Sequence, residues 1–281
     1  MKKILLTGGT GFVGRSILPL LKTRYDVTAP GRDDLDIVSL QSVDAYLKNK
    51  RFDVLLHLAA PNSLRNQNDI PAERFNFIVR AFLNFERHVK EFEKIIYLGS
   101  GAEYNKAFDI SMAREEDIGV TIPEDPYGYA KYILNTIARN SRNIYNLRLF
   151  GCYGPSDPKG KFITDAIDCC LEGRAVTIRQ NCYFDYLFVE DLAAILFWFI
   201  ENTPKYHDYN AATGKRVSLY SIAEMVAEKM GNKLPIETAK DGWNNEYTAS
   251  NNRLLTELGD FAYTSLSEGI DRQIAWQKNK A

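Results

Sequence analysis

Apolar positions in the first half of the chain follow two alternating rhythms. Residues 3–7, 27–29, 54–58, 94–98 and 144–150 are short runs, apolar on both faces, as expected of strands covered on either side. Between them, residues 12–24, 42–49, 75–93 and 127–141 repeat their apolar residues at helical spacing. Strand and helix in strict alternation predict a doubly wound α/β fold around a parallel sheet, the Rossmann arrangement. Pro19 falls inside the first helix and predicts a kink there.

The rhythm changes after Phe150. Residues 151–158 read as a turn-rich loop, 162–172 as a helix, 175–178 as a short strand and 186–200 as a further strand and helix. A helix over 221–230 should stop at Gly231. These segments predict a smaller, less regular C-terminal α/β lobe. The expected division is a dinucleotide-binding domain of residues 1–151 with about 186–210, and a substrate-binding lobe of 152–185 and 211–281.

The clearest local motif joins the first strand to the first helix. Thr7-Gly8-Gly9-Thr10-Gly11-Phe12-Val13-Gly14 spaces three glycines as G-x-x-G-x-x-G. At such a junction the glycines allow a tight turn, close backbone approach to a pyrophosphate, and close helix-strand packing. The helix N-terminus then offers free N–H groups to the phosphates. Three glycines alone would be a weak signal; their place after a strand and before a helix makes them a dinucleotide site. About twenty residues on, the second strand ends at Gly31 and Arg32 rather than at an acid. An arginine there suits the 2′-phosphate of NADP, which favours NADP over NAD, although Asp33 or Asp34 could reach a ribose in a shifted register.

Composition narrows the classes further. The chain has 281 residues, 45% hydrophobic and 25% charged, enough for a sizeable core. With 35 basic and 36 acidic residues the formal net charge is −1, and no basic block marks a nucleic-acid surface. Leu192 to Ile200 is the most apolar run and is too short to span a bilayer, so a buried helix is expected and no membrane partner. Met1-Lys2-Lys3 leads directly into a strand without the apolar stretch of a signal peptide. The four cysteines, Cys152, Cys169, Cys170 and Cys182, lack Cys-x-x-Cys spacing and the histidines are scattered, so no metal site is expected. Free thiols suit a reducing cytoplasm.

Candidate chemistry begins with Tyr127-Gly128-Tyr129-Ala130-Lys131. Residues four apart share a helix face, and Asp125-Pro126 reads as a helix start that puts Tyr127 in the first turn. A neighbouring ammonium would lower the tyrosine pKa, fitting it to move a proton while hydride moves at a carbonyl or hydroxyl carbon. Alone, such a pair is common on helix surfaces. Together with the other motifs it resembles the extended short-chain dehydrogenase/reductase family, the group of nucleotide-sugar epimerases, dehydratases and reductases. The resemblance spans nearly the whole chain. It rests on the glycine loop, Asp53-Val54-Leu55-Leu56-His57-Leu58-Ala59-Ala60, the Tyr-Lys pair, Leu147-Arg148-Leu149-Phe150-Gly151-Cys152-Tyr153-Gly154-Pro155, Phe188-Val189-Glu190-Asp191-Leu192-Ala193, Tyr209-Asn210-Ala211-Ala212 and Leu258-Gly259.

The resemblance implies roles. Ser100, four residues before Tyr104, takes the family's catalytic Ser/Thr position, with Tyr127 as proton donor or acceptor and Lys131 on the nicotinamide ribose. It implies cofactor contacts from Gly8, Thr10, Gly11, Phe12, Val13, Gly14, Arg32, Asp36, Ile37, Leu58, Ala59, Ala60, Asn76, Tyr127, Lys131 and Phe150. Substrate contacts are implied for Glu103, Tyr104, Tyr127, Gly151, Phe162 and Arg179. His57 is expected to be packed structure, and His88 and His207 to be solvated. A homodimer through the helices around 75–93 and 127–141 is the family expectation.

Departures narrow the chemistry. Dehydratases of the family carry Asp-Glu directly after the catalytic residue, where this chain has Gly101 and Ala102. The GDP-fucose synthase branch carries a cysteine at the position of Ala102. Both elimination and double epimerisation are therefore disfavoured. What remains is an NADPH-dependent reductase of a nucleotide-activated 4-keto (6-deoxy) sugar, with a 4-epimerase retaining NAD(H) as the alternative. A non-catalytic dinucleotide sensor would show a decayed Ser-Tyr-Lys set, and all three residues are present. The family's diphosphate-reaching asparagine is Gly151 here, and its phosphate-binding arginine is replaced in Phe184-Asp185-Tyr186; Arg179 and Lys161 are the nearby cations that could substitute.

Overall fold

The computed structural model describes residues 1–61 and 70–280. Strand β1 (Lys3–Thr7) leads through the glycine loop into α1 (Phe12–Lys22), followed by β2 (Asp26–Thr28), α2 (Leu40–Leu47), β3 (Val54–His57), α3 (Pro71–Glu86) and β4 (Lys94–Ser100). After β5 (Ile110–Ala113) come α4 (Pro126–Arg139), β6 (Ile144–Leu149), β7 (Gly151–Tyr153), α5 (Phe162–Leu171), β8 (Thr177–Asn181), β9 (Tyr183–Phe184) and β10 (Tyr186–Phe188). The chain continues through α6 (Val189–Glu201), β11 (Asp208–Ala211), β12 (Val217–Ser218), α7 (Leu219–Met230), β13 (Glu237–Trp243), β14 (Tyr247–Ala249), α8 (Asn252–Leu258) and α9 (Leu266–Lys278).

Six parallel strands form the main sheet in the order β11-β6-β4-β3-β1-β2. The doubly wound α/β architecture expected from the alternating pattern is present. β1, β3 and β4 are buried along nearly their whole length because helices cover both faces. One face packs Ile4, Leu6 and Leu56 against α1 and α6. The other packs Leu5, Leu55 and Ile95 against α2, α3 and α4. After β2 the chain returns to the opposite side of β1, so the winding reverses between β1 and β3. Ligands of such sheets bind in the crevice beyond the strand ends at this reversal.

A third apolar cluster joins α5, α7 and α9 and forms the core of the C-terminal lobe. Several details differ from the sequence pattern. Residues 151–153 are a strand, not loop, because they pair in parallel with β10. Leu254, Leu258, Phe261 and Tyr263 pack into the core of the main sheet, so the end of the chain is shared between the two cores instead of belonging wholly to the lobe. All four cysteines are unpaired. Among the described residues, no helix is long and apolar enough to cross a membrane.

Candidate active site

A cavity of about 700 Å³ runs from the glycine loop, past the ends of β3 and β4, to the C-terminal lobe. Its first wall is Gly8, Gly11, Phe12, Val13 and Gly14, with Leu58, Ala60 and Pro61 opposite. Gly8 has φ +78°, and a Cβ there would lie 2.6 Å from the Ala59 nitrogen. A Cβ on Gly14 would lie 2.2 Å from the Gly8 oxygen. No other residue fits these two positions without moving backbone. Gly11 caps α1 without a side-chain hydrogen bond, and no acid occupies the first turn. The terminal N–H groups and the positive end of the helix dipole are thus left for a phosphate, so this cradle fits a dinucleotide.

Further along the cavity, the end of β4 and the first two turns of α4 bring Ser100, Tyr127 and Lys131 onto one wall. Ser100 ends β4 and heads a short turn, where its hydroxyl accepts the Ala102 N–H at 3.2 Å. Asp125 caps α4 by accepting the Gly128 N–H at 3.0 Å, and Pro126 takes the first helical position, as the sequence predicted. Tyr127 therefore sits in the first turn and Lys131 one turn below. The Lys131 ammonium donates to the Leu98 carbonyl at 2.6 Å. Burial pulls its pKa down to about 8, against the opposing pull of Glu103.

The expectation that Lys131 lowers the Tyr127 pKa needs correction. Burial dominates and raises it, and the Ser100 hydroxyl acts in the opposite sense. Tyr127 is thereby held as the neutral phenol, the form that can donate a proton. A second phenol, absent from the sequence reading, completes this wall. The Tyr247 hydroxyl is 3.4 Å from Ser100 Oγ, and its ring packs on Phe150 and Phe184 with centroids 5.0 and 5.3 Å apart.

Other expected cofactor residues scatter. Leu58, Ala60 and Phe150 line the cavity, and the Ala59 backbone packs behind Gly8. Thr10 is exposed on the loop. Arg32 and Asp36 are exposed after β2, where Asp36 accepts the Val38 N–H at 3.0 Å. Ile37 packs against the α2 and α3 core. Asn76 does not line the cavity: Arg74 does, and two residues on a helix point to different sides.

The expected substrate residues need more revision. Glu103 and Tyr104 turn inward beneath Ser100: Glu103 is fully buried and Tyr104 donates to Asn210 at 2.8 Å. A Cβ on Gly151 would lie 2.7 Å from the Asp185 oxygen, so this position has no room for a ligand-reaching side chain. Phe162 packs on the lobe core, and Arg179 is exposed on β8 outside the cavity. The cations on the wall are instead Arg74, Lys106, Lys131 and Lys161. Glu246, also on the wall, is held by Arg216 at 2.6 Å. Among the histidines, His57 is buried on Thr7 Oγ1 at 2.9 Å, as expected of packed structure. His88 and His207 are not simply solvated: His88 bonds Asp44 and Glu91, and His207 bonds the Ile144 carbonyl.

A parallel sheet reversing beside an uncapped glycine cradle, with a Ser-Tyr-Lys set beyond it, defines a nicotinamide-dependent α/β enzyme. The model of the NAD dependent epimerase/dehydratase family matches residues 4–212, and the chain belongs to that family. It is 24% identical to a UDP-glucose 4-epimerase of Mycoplasma pneumoniae, covering 85% of this chain and 86% of the relative. Its fold matches RMD from Pseudomonas aeruginosa complexed with NADPH, with TM-score 0.85, 17% identity and full coverage of both chains. It likewise matches a GDP-mannoheptose C4 reductase from Campylobacter jejuni with NADP bound, with TM-score 0.81, 17% identity and coverage of 99% and 98%.

Proposed function

We propose that the protein is an NADPH-dependent reductase of a nucleotide-activated 4-keto (6-deoxy) sugar. The observation that carries this reading lies beside Ser100. A Cβ on Gly101 would lie 2.6 Å from Phe150 and 2.7 Å from the Tyr247 hydroxyl, and Ala102 is buried. Neither position can offer an acid, base or thiol to a sugar carbon, so the two residues that follow Ser100 supply none of the groups that elimination would need there, which favours proton transfer at an oxygen.

A bound nicotinamide would supply the hydride. Ser100 orients the carbonyl oxygen and polarises it. Tyr127, kept as the phenol by burial, gives that oxygen a proton. Lys131, as ammonium, holds the nicotinamide ribose. Arg74, Lys106 and Lys161 give the cavity positive charge suited to the diphosphates of cofactor and substrate. Arg32, exposed after β2, suits a 2′-phosphate, and the neighbours bound to NADPH and NADP agree with that choice. α3 and α4 together expose Leu83 and Tyr129, the face on which we place a second copy; sedimentation at several concentrations tests it.

The likeness to a UDP-glucose 4-epimerase favours a second reading, epimerisation with retained NAD(H). Purified protein is offered nucleotide 4-keto-6-deoxy sugars with NADPH and NADH in parallel. A reductase consumes one NADPH per sugar and copurifies without tightly held cofactor. An epimerase interconverts nucleotide sugars with no net consumption.

A further inference from the structure

Beside Ser100 the cavity wall is aromatic. Phe150, Phe184 and Tyr247 all line it, and each is half-buried, with part of its ring left toward the cavity. The Tyr247 ring packs on Phe150 at 5.0 Å and on Phe184 at 5.3 Å, and Tyr247 and Phe184 are direct partners between β14 and β9. A Cβ on Gly101 would meet the Phe150 ring at 2.6 Å, so that ring lies against the residue that follows Ser100. Cys152 and Cys182, each two residues from Phe150 or Phe184, add buried thiols to the lining. The polar side chains next to these rings are engaged elsewhere. Asp185 turns away and accepts the backbone N–H groups of Thr213 and Gly214 at 2.9 and 2.8 Å. Glu246 accepts from Arg216 at 2.6 Å and from Thr248 at 2.5 Å. Asn245 donates to the Lys106 and Ala107 carbonyls at 3.3 and 3.0 Å.

We propose that Phe150, Phe184 and Tyr247 form the pocket for the methyl group of a 6-deoxy sugar, and that this wall selects such sugars over their 6-hydroxy counterparts. The inference rests on the reading of the site as that of a nucleotide 4-keto sugar reductase. In that reading the oxygen on C4 meets Ser100 and Tyr127. One neighbour of C4 carries a hydroxyl; the other, C5, carries C6, two bonds from the reacting carbon. The group on C6 is therefore held close to Ser100, where the rings are. A methyl pressed on them gains apolar contact, whereas a hydroxyl gives up water and meets ring carbon.

The test is binding to the full chain in saturating NADP⁺, followed by titration calorimetry. The probes are UDP-, dTDP- and GDP-linked hexoses, each paired with its 6-deoxy counterpart of the same configuration. These alcohols stand in for the reduced product, so no turnover is needed. In the pair that binds, the 6-deoxy sugar is expected to bind at least about tenfold tighter, the effect of a hydroxyl left without a partner. Phe184→Asn, which offers that hydroxyl a partner, should bring the two members to within about threefold, and Phe184→Leu should keep the preference. A packing role alone would weaken both members together, and an unchanged ratio in Phe184→Asn would overturn the proposal. If that variant does not fold, the parent's ratio decides. Equal binding of the pair by the parent, or tighter binding of the hexose, would overturn the proposal and leave the nucleotide-sugar reading standing. Binding of no pair would overturn both.

Discussion

The hydroxyls of Ser100 and Tyr247 lie 3.4 Å apart, although the residues are 147 positions apart in sequence and belong to different sheets. Ser100 ends the main parallel sheet, whereas Tyr247 comes from the C-terminal lobe on β14, which pairs with β5 and β9. This wall of the cavity is thus assembled from both parts of the chain. Tyr247→Phe keeps the ring that packs on Phe150 and Phe184 and removes only the hydroxyl. One lost hydrogen bond at a reacting group corresponds to about tenfold in kcat. Steady-state kinetics should show that loss with an unchanged melting temperature, and Ser100→Ala should lose more.

Gly14→Ala forces a methyl to 2.2 Å from the Gly8 oxygen and 2.7 Å from the Gly9 Cα, both backbone atoms. The loop must move to admit it, and the phosphate cradle moves with it. NADPH affinity, followed by nicotinamide fluorescence, is expected to fall at least about tenfold, since small displacements of oriented N–H donors cost a kilocalorie or more.

Arg32→Ala addresses cofactor choice. Charge-assisted hydrogen bonds contribute about 1.5–3 kcal/mol, so the variant should weaken NADPH binding roughly tenfold or more and leave NADH binding unchanged. Equal losses for both cofactors would place the 2′-phosphate elsewhere.

Two pH effects follow from buried groups. Lys131 titrates near 8 in the folded chain, below its ordinary 10.5. Holding it charged below pH 8 costs stability, and that cost is relieved as pH rises from about 8 toward 10.5. Cofactor binding that needs the ammonium runs the other way: NADPH affinity should decline above about pH 8, and Lys131→Met should flatten that decline.

His57 is the second. Its folded pKa of about 3 lies below its ordinary 6.5, so the unfolded chain binds a proton that the folded chain refuses. Its contribution to stability is intact above about 6.5 and is lost as pH falls through that value toward 3. Melting temperatures of the parent and of His57→Phe should converge as pH falls, because the variant lacks this proton.

Much of the doubly wound half was legible because its signals are local. Continuous apolar runs marked the strands, and Asp125-Pro126 marked the start of α4. The lobe was less legible because its strands are defined by distant partners. β13 is exposed at every position, so it carries no alternation, and β14 is a three-residue strand whose partner β5 lies more than 130 residues earlier. Glu103 read as a substrate contact because nothing adjacent in sequence reveals its partner. Arg148, 45 residues away, is what permits its burial. Asn76 and Arg74 could be told apart only once the rotation of α3 was known.

The most direct measurement compares the parent and Tyr127→Phe for NADPH oxidation with a nucleotide 4-keto-6-deoxy sugar, alongside NADPH binding. Loss of the proton donor should slow turnover by about 10² to 10⁴ while NADPH affinity stays within experimental error of the parent. Parent-like turnover by Tyr127→Phe would remove Tyr127 from the chemistry and overturn the reading of this site.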